Sequence, residues 1–208
     1  MKKLAIFLIA LTLFCKPVQA MEPAVQFINT LTDKIITNVL TSQDSEEQKI
    51  NYFRQEFTSA LDLKSIGQFV LGRYWKMADT AQRDAFLDAF MEFTTLTWAD
   101  RFHMYNGQKI IFTGTRNAEG KQLYVDSKIM NNGTPVEVIW RVRQKGDTFK
   151  IIDIIVEGVS MAMSYRNEYT AFLQKNGGDV SKLTAELKTK AKNFQLTGGT
   201  DKTAAKAQ

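Results

Sequence analysis

The apolar residues of this chain change their spacing at Gly107, and that change limits the fold more than any single motif. Before Gly107 they recur every three or four residues. After it they alternate, until the helical spacing returns beyond Gly158. A period of 3.6 puts side chains on one face of a helix, and a period of 2 on one face of a strand. The order is therefore helices, strands, helices, which is the pattern of an α+β domain and not of alternating βαβ units.

In the first block, Val25, Ile28, Leu31, Ile35 and Val39 predict an amphipathic helix over residues 22–40, with Pro23 in its first turn. Ser45 and Gln48 have the spacing of a capping box ahead of Ile50, Phe53 and Phe57. Residues 63–75 are apolar but interrupted by Gly67 and Gly72. Thr80 is the expected N-cap of a long helix reaching Tyr105, with Phe86, Phe90, Phe93 and Thr97 in its stripe.

Residues 109–115, 121–130, 134–143 and 148–157 then read as four strands, joined by hairpin-sized links rich in Asn and Gly. Short links make neighbouring strands antiparallel, so the expected sheet is a four-stranded meander. Leu123, Val125 and Ile129 share one face, as do Val136, Val138, Trp140 and Val142; Glu137, Arg141 and Arg143 take the other. The fourth strand is apolar at nearly every position and reads as covered on both sides. A helix follows from Ser160 to Lys175, stopped by Asn176-Gly177-Gly178, and Asp179 caps a last, basic helix.

The chain has 208 residues, of which the first twenty read as a cleaved leader: Lys2 and Lys3, an apolar run from Leu4 to Phe14, and small residues at Val18 and Ala20. The run is too short to span a bilayer, which takes about 20 residues. Removing residues 1–20 leaves 188. It takes away three of 27 basic residues and none of 22 acidic ones, so the net charge falls from +5 to +2. Such a balance gives no electrostatic case for nucleic-acid binding. The only cysteine, Cys15, leaves with the leader, which excludes disulfides, thiolate metal sites and cysteine nucleophiles. The lone His103 excludes a multi-histidine metal site and reads as a helix-end cation. The expected organisation is a leader (1–20), one α+β domain (21–195) and a polar, disordered tail (196–208), exported to the bacterial periplasm.

Catalytic signals are sparse. No glycine-rich phosphate loop, G-x-S-x-G or metal-ligand spacing occurs. Asp126, Asp153 and Glu157 lie in strands. In an apolar cone such a carboxyl has a raised pKa and can serve as a general base. At a strand end it instead binds a neighbouring cation, and no histidine or second carboxylate at workable spacing supports the catalytic role. Lys182, Lys188, Lys190 and Lys192 make a solvated face, or a docking surface for an acidic partner or lipid headgroups. A curved sheet covered by helices forms a cone, the kind of concavity that holds apolar ligands.

Three stretches carry a resemblance: Phe69-Val70-Leu71-Gly72-Arg73-Tyr74-Trp75; Ala81-Gln82-Arg83 opening a Phe-rich helix; and Val156-Glu157-Gly158-Val159-Ser160-Met161 before a helix with Asn167-Glu168. In order and spacing the chain resembles, from Pro23 to Phe194, the MlaC family, the toluene-tolerance proteins that bind phospholipid for the Mla transport system. The resemblance implies a cone related to the nuclear-transport-factor-like fold, with a deep apolar pocket for acyl chains and the headgroup left in water. It implies a carrier that is not an enzyme, needs no cofactor or metal, and maintains outer-membrane lipid asymmetry. Its implied partners are an outer-membrane lipoprotein–porin complex and an inner-membrane MCE-domain ABC transporter.

Pocket walls are expected at Val136, Val138 and Trp140 of the third strand, Ile152 and Ile154 of the fourth, and Val159 beyond it. Phe69, Leu71, Trp75 and Tyr105 are the expected opposite wall or mouth, and Gly67 and Gly72 are expected to let that segment move. Arg73 and Arg166 would meet a phosphate at the mouth, or form salt bridges elsewhere. Two other readings compete: a ketosteroid-isomerase-like enzyme with a buried Asp, and a ligand-free adaptor with a filled core. Nothing in the sequence calls for more than a monomer.

Overall fold

In the computed structural model, which describes residues 22–103, 107–131 and 133–196, the helix–strand–helix order holds. The predicted leader, Tyr105 and the tail beyond Leu196 lie outside the described residues. Helix α1 (Pro23–Ile35) buries Val25, Ile28, Leu31 and Ile35 along one face and runs into a π-helical turn, Ile36–Leu40. Helix α2 (Glu46–Ala60) begins at the expected capping box: Ser45 N–H donates to Gln48 Oε1 (3.0 Å), and Gln48 N–H to Ser45 Oγ (3.3 Å).

The segment expected to be broken at two glycines is broken at one. Helix α3 (Leu63–Leu71) runs through Gly67, which is buried; a Cβ there would lie 2.3 Å from Leu87 Cδ2. Gly67 thus does not interrupt the helix but lets α3 lie close against α5 (Thr80–His103). Gly72 does end α3: its φ of 53° and ψ of −122° suit only glycine, and α4 (Arg73–Met77) starts beyond it. The cap of α5 lies one residue earlier than expected. Asp79 and Gln82 bond each other's backbone N–H (2.8 and 3.0 Å), and Thr80 is the first helical residue. The capping spacing fits Asp79–Gln82 directly, because an Asp carboxylate serves as well as a Thr hydroxyl.

Strands β1 (Ile110–Asn117), β2 (Gln122–Asn131), β3 (Thr134–Lys145) and β4 (Thr148–Val156) form the expected antiparallel meander in the order of the chain. A fifth strand, β5 (Val159–Ser160), extends it, paired with Ile155 and Val156 across a two-residue turn. Two residues are too few to show a period, which is why the sequence yields four strands. The turn residues Glu157 and Gly158 both have positive φ (49° and 80°), as tight hairpins require.

Strand β4 is bulged: Val142 pairs with Ile151 and Arg141 with Asp153, so Ile152 is extra. The bulge changes the phase of the strand. Phe149 and Ile151 face inward before it, and Ile154 and Val156 after it, opposite Trp140 and Val138. The continuous apolar run that reads as two-sided cover is this phase change; Ile152 and Ile155 stay partly exposed while Ile151 and Ile154 are buried.

Helices α1 and α2 lie against the sheet, with Phe27 of α1 6.1 Å from Phe149 of β4 between ring centres. Helix α6 (Met161–Lys175) follows β5, and α7 (Val180–Leu196) packs along α5. Helix α6 ends as the glycines predict, with Gly178 N–H donating to Leu173 O (2.8 Å), and Asp179 Oδ1 accepts from Ser181 N–H (2.9 Å) at the start of α7. Between α5 and α6, Phe86 and Phe90 meet Tyr169 edge-on, at 6.2 and 6.0 Å. The Tyr169 hydroxyl is buried without a hydrogen-bond partner, and burial pushes its phenol well above the ordinary value of 10.0. Tyr169→Phe should therefore raise stability by about 1 kcal/mol, measured by urea unfolding at pH 7. The folded phenol holds its proton more tightly than the unfolded one. Its contribution is complete below pH 10.0 and is lost as the pH rises above it, so the variant should lose less stability there than the parent.

Candidate functional site

Cross-strand pairing builds one continuous apolar face. Leu123 stands opposite Val142, Val125 opposite Trp140, Ser127 opposite Val138 and Ile129 opposite Val136; Trp140 in turn stands opposite Ile154. Val125, Val138, Trp140, Val142, Ile151 and Ile154 are each at most 5% exposed. The opposite face is polar. There Arg116 holds Asp126 through two bonds of 2.7 Å, and the Arg116 and Arg141 guanidinium groups lie over the Tyr124 ring (5.0 and 5.8 Å). Asp126 raises the Arg116 pKa in return, by hydrogen bonding and by charge.

Ser127 breaks the inward apolar pattern and is fully satisfied. Its Oγ donates to Val138 O (2.8 Å) and accepts from Trp140 Nε1–H (3.0 Å). This bond fixes the plane of the indole at the centre of the face. A second indole, Trp98 of α5, donates to Met161 Sδ (3.1 Å) and so ties the helix layer to the start of α6.

The structure divides the sequence-chosen wall residues. Val136, Val138, Trp140 and Ile154 lie together on the inner sheet face. Ile152 is the bulge residue. Val159 is 50% exposed at the β5 turn. Phe69, Leu71 and Trp75 form a separate group on α3 and α4. Leu71 is fully buried. Trp75 lies beneath the Arg83 guanidinium (5.3 Å), and Phe69, 39% exposed, beneath that of Arg166 (4.8 Å). Tyr105 and the His103 side chain lie outside the described residues. Sequence reasoning missed Ser127 and the covering residue Phe27, and read Leu31 as helix stripe without placing it at a cleft. Ser127 had a signal: it is the polar residue at an inward position of an alternating strand.

The carboxylates considered for catalysis have other partners. Asp126 is held by Arg116 on the polar face. Asp153 accepts from Ile154 N–H and Ala162 N–H (2.9 Å each) and from the Ser160 hydroxyl (2.5 Å), which fastens β4 to the first turn of α6. Glu157 accepts from Glu137 N–H in the last hairpin. Among the described residues no three His, Cys, Asp or Glu side chains gather as a metal ion needs, and no helix is long and apolar enough to cross a membrane.

Among the described residues, clefts on the surface include two beside the helices. One, of about 490 Å³, lies between α1, α2 and the start of β4; Phe27, Leu31, Ala60 and Phe149 line it, and Lys34 and Glu56 bridge across it (3.1 Å). It reaches one end of the inner sheet face through Phe149. The other, of about 420 Å³, lies between the α3–α4 junction and α6, with Arg73 and Arg166 in its walls.

A meander whose apolar face is roofed by helices, with the carboxylates spent on anchoring, defines an α+β protein organised around an apolar interior. More specifically, the chain belongs to the MlaC protein family, whose sequence profile matches residues 26–189. It is 26% identical over 157 residues to the intermembrane phospholipid transport system binding protein MlaC of Haemophilus influenzae, covering 71% of this chain and 73% of that protein. It is 25% identical over 111 residues to a toluene tolerance protein of Pseudomonas putida, covering 53% and 52%. In fold it is similar to the phospholipid-binding protein from Ralstonia solanacearum, solved in complex with a phospholipid. That match has a TM-score of 0.76 and 24% identity, over 84% of this chain and 99% of that one.

Two substitutions test the local geometry. Ser127→Ala leaves the Trp140 indole N–H buried without an acceptor and should cost about 1–3 kcal/mol in urea unfolding. Gly72→Ala forces a side chain into a backbone conformation reserved for glycine and should cost about 1–3 kcal/mol by the same measurement.

Proposed function

We propose that this protein is a periplasmic phospholipid carrier whose acyl chains lie between the inner sheet face and the helices over it. Residues 21–195 form the carrier domain, delivered by a cleavable leader. It exchanges lipid with an outer-membrane lipoprotein–porin complex and an inner-membrane MCE-domain ABC transporter, and so maintains outer-membrane lipid asymmetry. The observation that carries the reading is the inner face itself: Val125, Val138, Trp140, Val142, Ile151 and Ile154 make a broad apolar floor with its polar atoms already paired. The phospholipid named for the relatives in Haemophilus influenzae and Ralstonia solanacearum supports the choice of cargo.

Two chains of roughly 15 carbons, at about 0.8 kcal/mol per CH₂, represent about 24 kcal/mol of burial that a carrier has to replace while it crosses water. Only an extended apolar surface does that, and headgroup identity contributes little beside it. Helices α1 and α2 lie against the sheet, so uptake beneath them requires those helices to shift from it. The cleft between α1, α2 and Phe149 is the opening at which they part. The weak net charge fits a shuttle, since each Lys or Arg near an anionic bilayer adds about 1 kcal/mol of attraction. The enzyme reading draws no support from the places of Asp126 and Asp153.

Native mass spectrometry of protein purified without detergent should show a stoichiometric added mass that extracts as phospholipid. Val138→Trp, which puts an indole into the inner face, should lower loading from vesicles at least tenfold while circular dichroism still reports a folded chain. Val159→Trp, at a half-exposed turn, should load normally. A bare polypeptide mass after exposure to vesicles contradicts the proposal and favours the adaptor reading.

A further inference from the structure

The cleft between the α3–α4 junction and α6 has a chemistry that the carriage of acyl chains does not use. Two guanidinium groups, Arg73 and Arg166, stand in its walls with Asn167, Thr170 and Gln174, and no carboxylate lines it. Among the described residues neither arginine belongs to an ion pair.

Both arginines are held in place by groups that leave their charge uncompensated. Arg166 Nη1 donates to Phe69 O (2.8 Å), and its guanidinium lies 4.8 Å above the Phe69 ring. Its closeness to the backbone depends on Gly72, where a Cβ would stand 3.2 Å from Nη2. Arg73 Nη2 donates to the Tyr74 hydroxyl (2.8 Å), with its guanidinium 4.9 Å over that ring. Each guanidinium has five N–H donors, of which these contacts take one. Two uncompensated positive charges lining one cleft favour an anion there. A carboxylate satisfies a single Arg fork, whereas a phosphate has enough acceptor oxygens for two forks and the neutral donors beside them.

We propose that this cleft is a phosphate-binding site, taking either an inorganic phosphate or the phosphodiester of a lipid headgroup. It is built from groups outside the inner sheet face and stands whether or not the carrier reading does.

The test is calorimetric titration at low ionic strength, with inorganic phosphate and, separately, with dihexanoylphosphatidylglycerol below its micelle concentration. At least one of the two should bind saturably, more weakly as NaCl is added, and at least tenfold more weakly to Arg73→Gln/Arg166→Gln. Lys188→Gln/Lys192→Gln, which removes equal charge from exposed positions on α7, should bind like the parent. Arg-dependent binding of inorganic phosphate identifies a free-phosphate site, and Arg-dependent binding of the lipid alone identifies a headgroup site. If neither ligand binds in an Arg-dependent way, or if the lysine variant loses as much, the proposal is wrong. Should the double arginine variant not fold, Arg73→Gln alone decides, because the hydrogen bond and ring contact of Arg73 are with its neighbour Tyr74 and join no separate elements; it should weaken binding at least threefold, and unchanged binding overturns the site. A protein that loads lipid yet shows no Arg-dependent binding loses this site and keeps the carrier reading; one that carries no lipid yet binds phosphate through the arginines does the reverse.

Discussion

An antiparallel meander with one apolar face needs that face covered, and the cover determines how the rest of this molecule is arranged. The inner faces of β2, β3 and β4 supply Val125, Val138, Trp140, Val142, Ile151 and Ile154, and helices α1 and α2 lie against the sheet. The geometry depends on the bulge at Ile152. Without the extra residue, Asp153 would turn inward with Ile151, placing a carboxylate in the apolar interior. With it, Ile154 faces inward and Asp153 binds the α6 first turn through Ala162 N–H and the Ser160 hydroxyl. One inserted residue keeps the interior apolar and also fastens the C-terminal helices to the sheet.

Much of this was legible in the sequence because it rests on local rules. The change of period at Gly107, the Ser45–Gln48 capping box, the hairpin links and the glycine stop after Lys175 each reflect interactions within a few residues. What the sequence hid is non-local. A bulge depends on the partner strand, so β4 looked apolar on both sides when it had changed phase. Gly67 looked like a helix breaker because the Leu87 side chain that crowds it lies twenty residues away. β5 was too short to have a period at all.

The candidate site was legible in the same proportion. Val136, Val138 and Trp140 share a face because alternation puts them there, and Ile154 joins them because the bulge at Ile152 shifts the phase of β4. Phe69 and Trp75 share their aromatic character with that set but not its location; on α3 and α4 they lie beneath Arg166 and Arg83. Composition marks which residues can bury surface, while the elements that carry them decide where. The acidic residues teach a related lesson. Asp126 and Asp153 stand at positions from which a catalytic carboxylate is easily imagined, and each is bound instead to Arg116 or to the α6 first turn.

The central claim is that acyl chains lie on the inner sheet face beneath α1 and α2. The most direct test is to load the protein with a phospholipid carrying a photoreactive group midway along an acyl chain, irradiate it, and map the adducts by peptide mass spectrometry. The account predicts adducts on β3 and β4 around Val138, Trp140 and Ile154, and on the facing residues of α1. Adducts confined to exposed residues such as Met77 and Met163, with none on the inner face, contradict it.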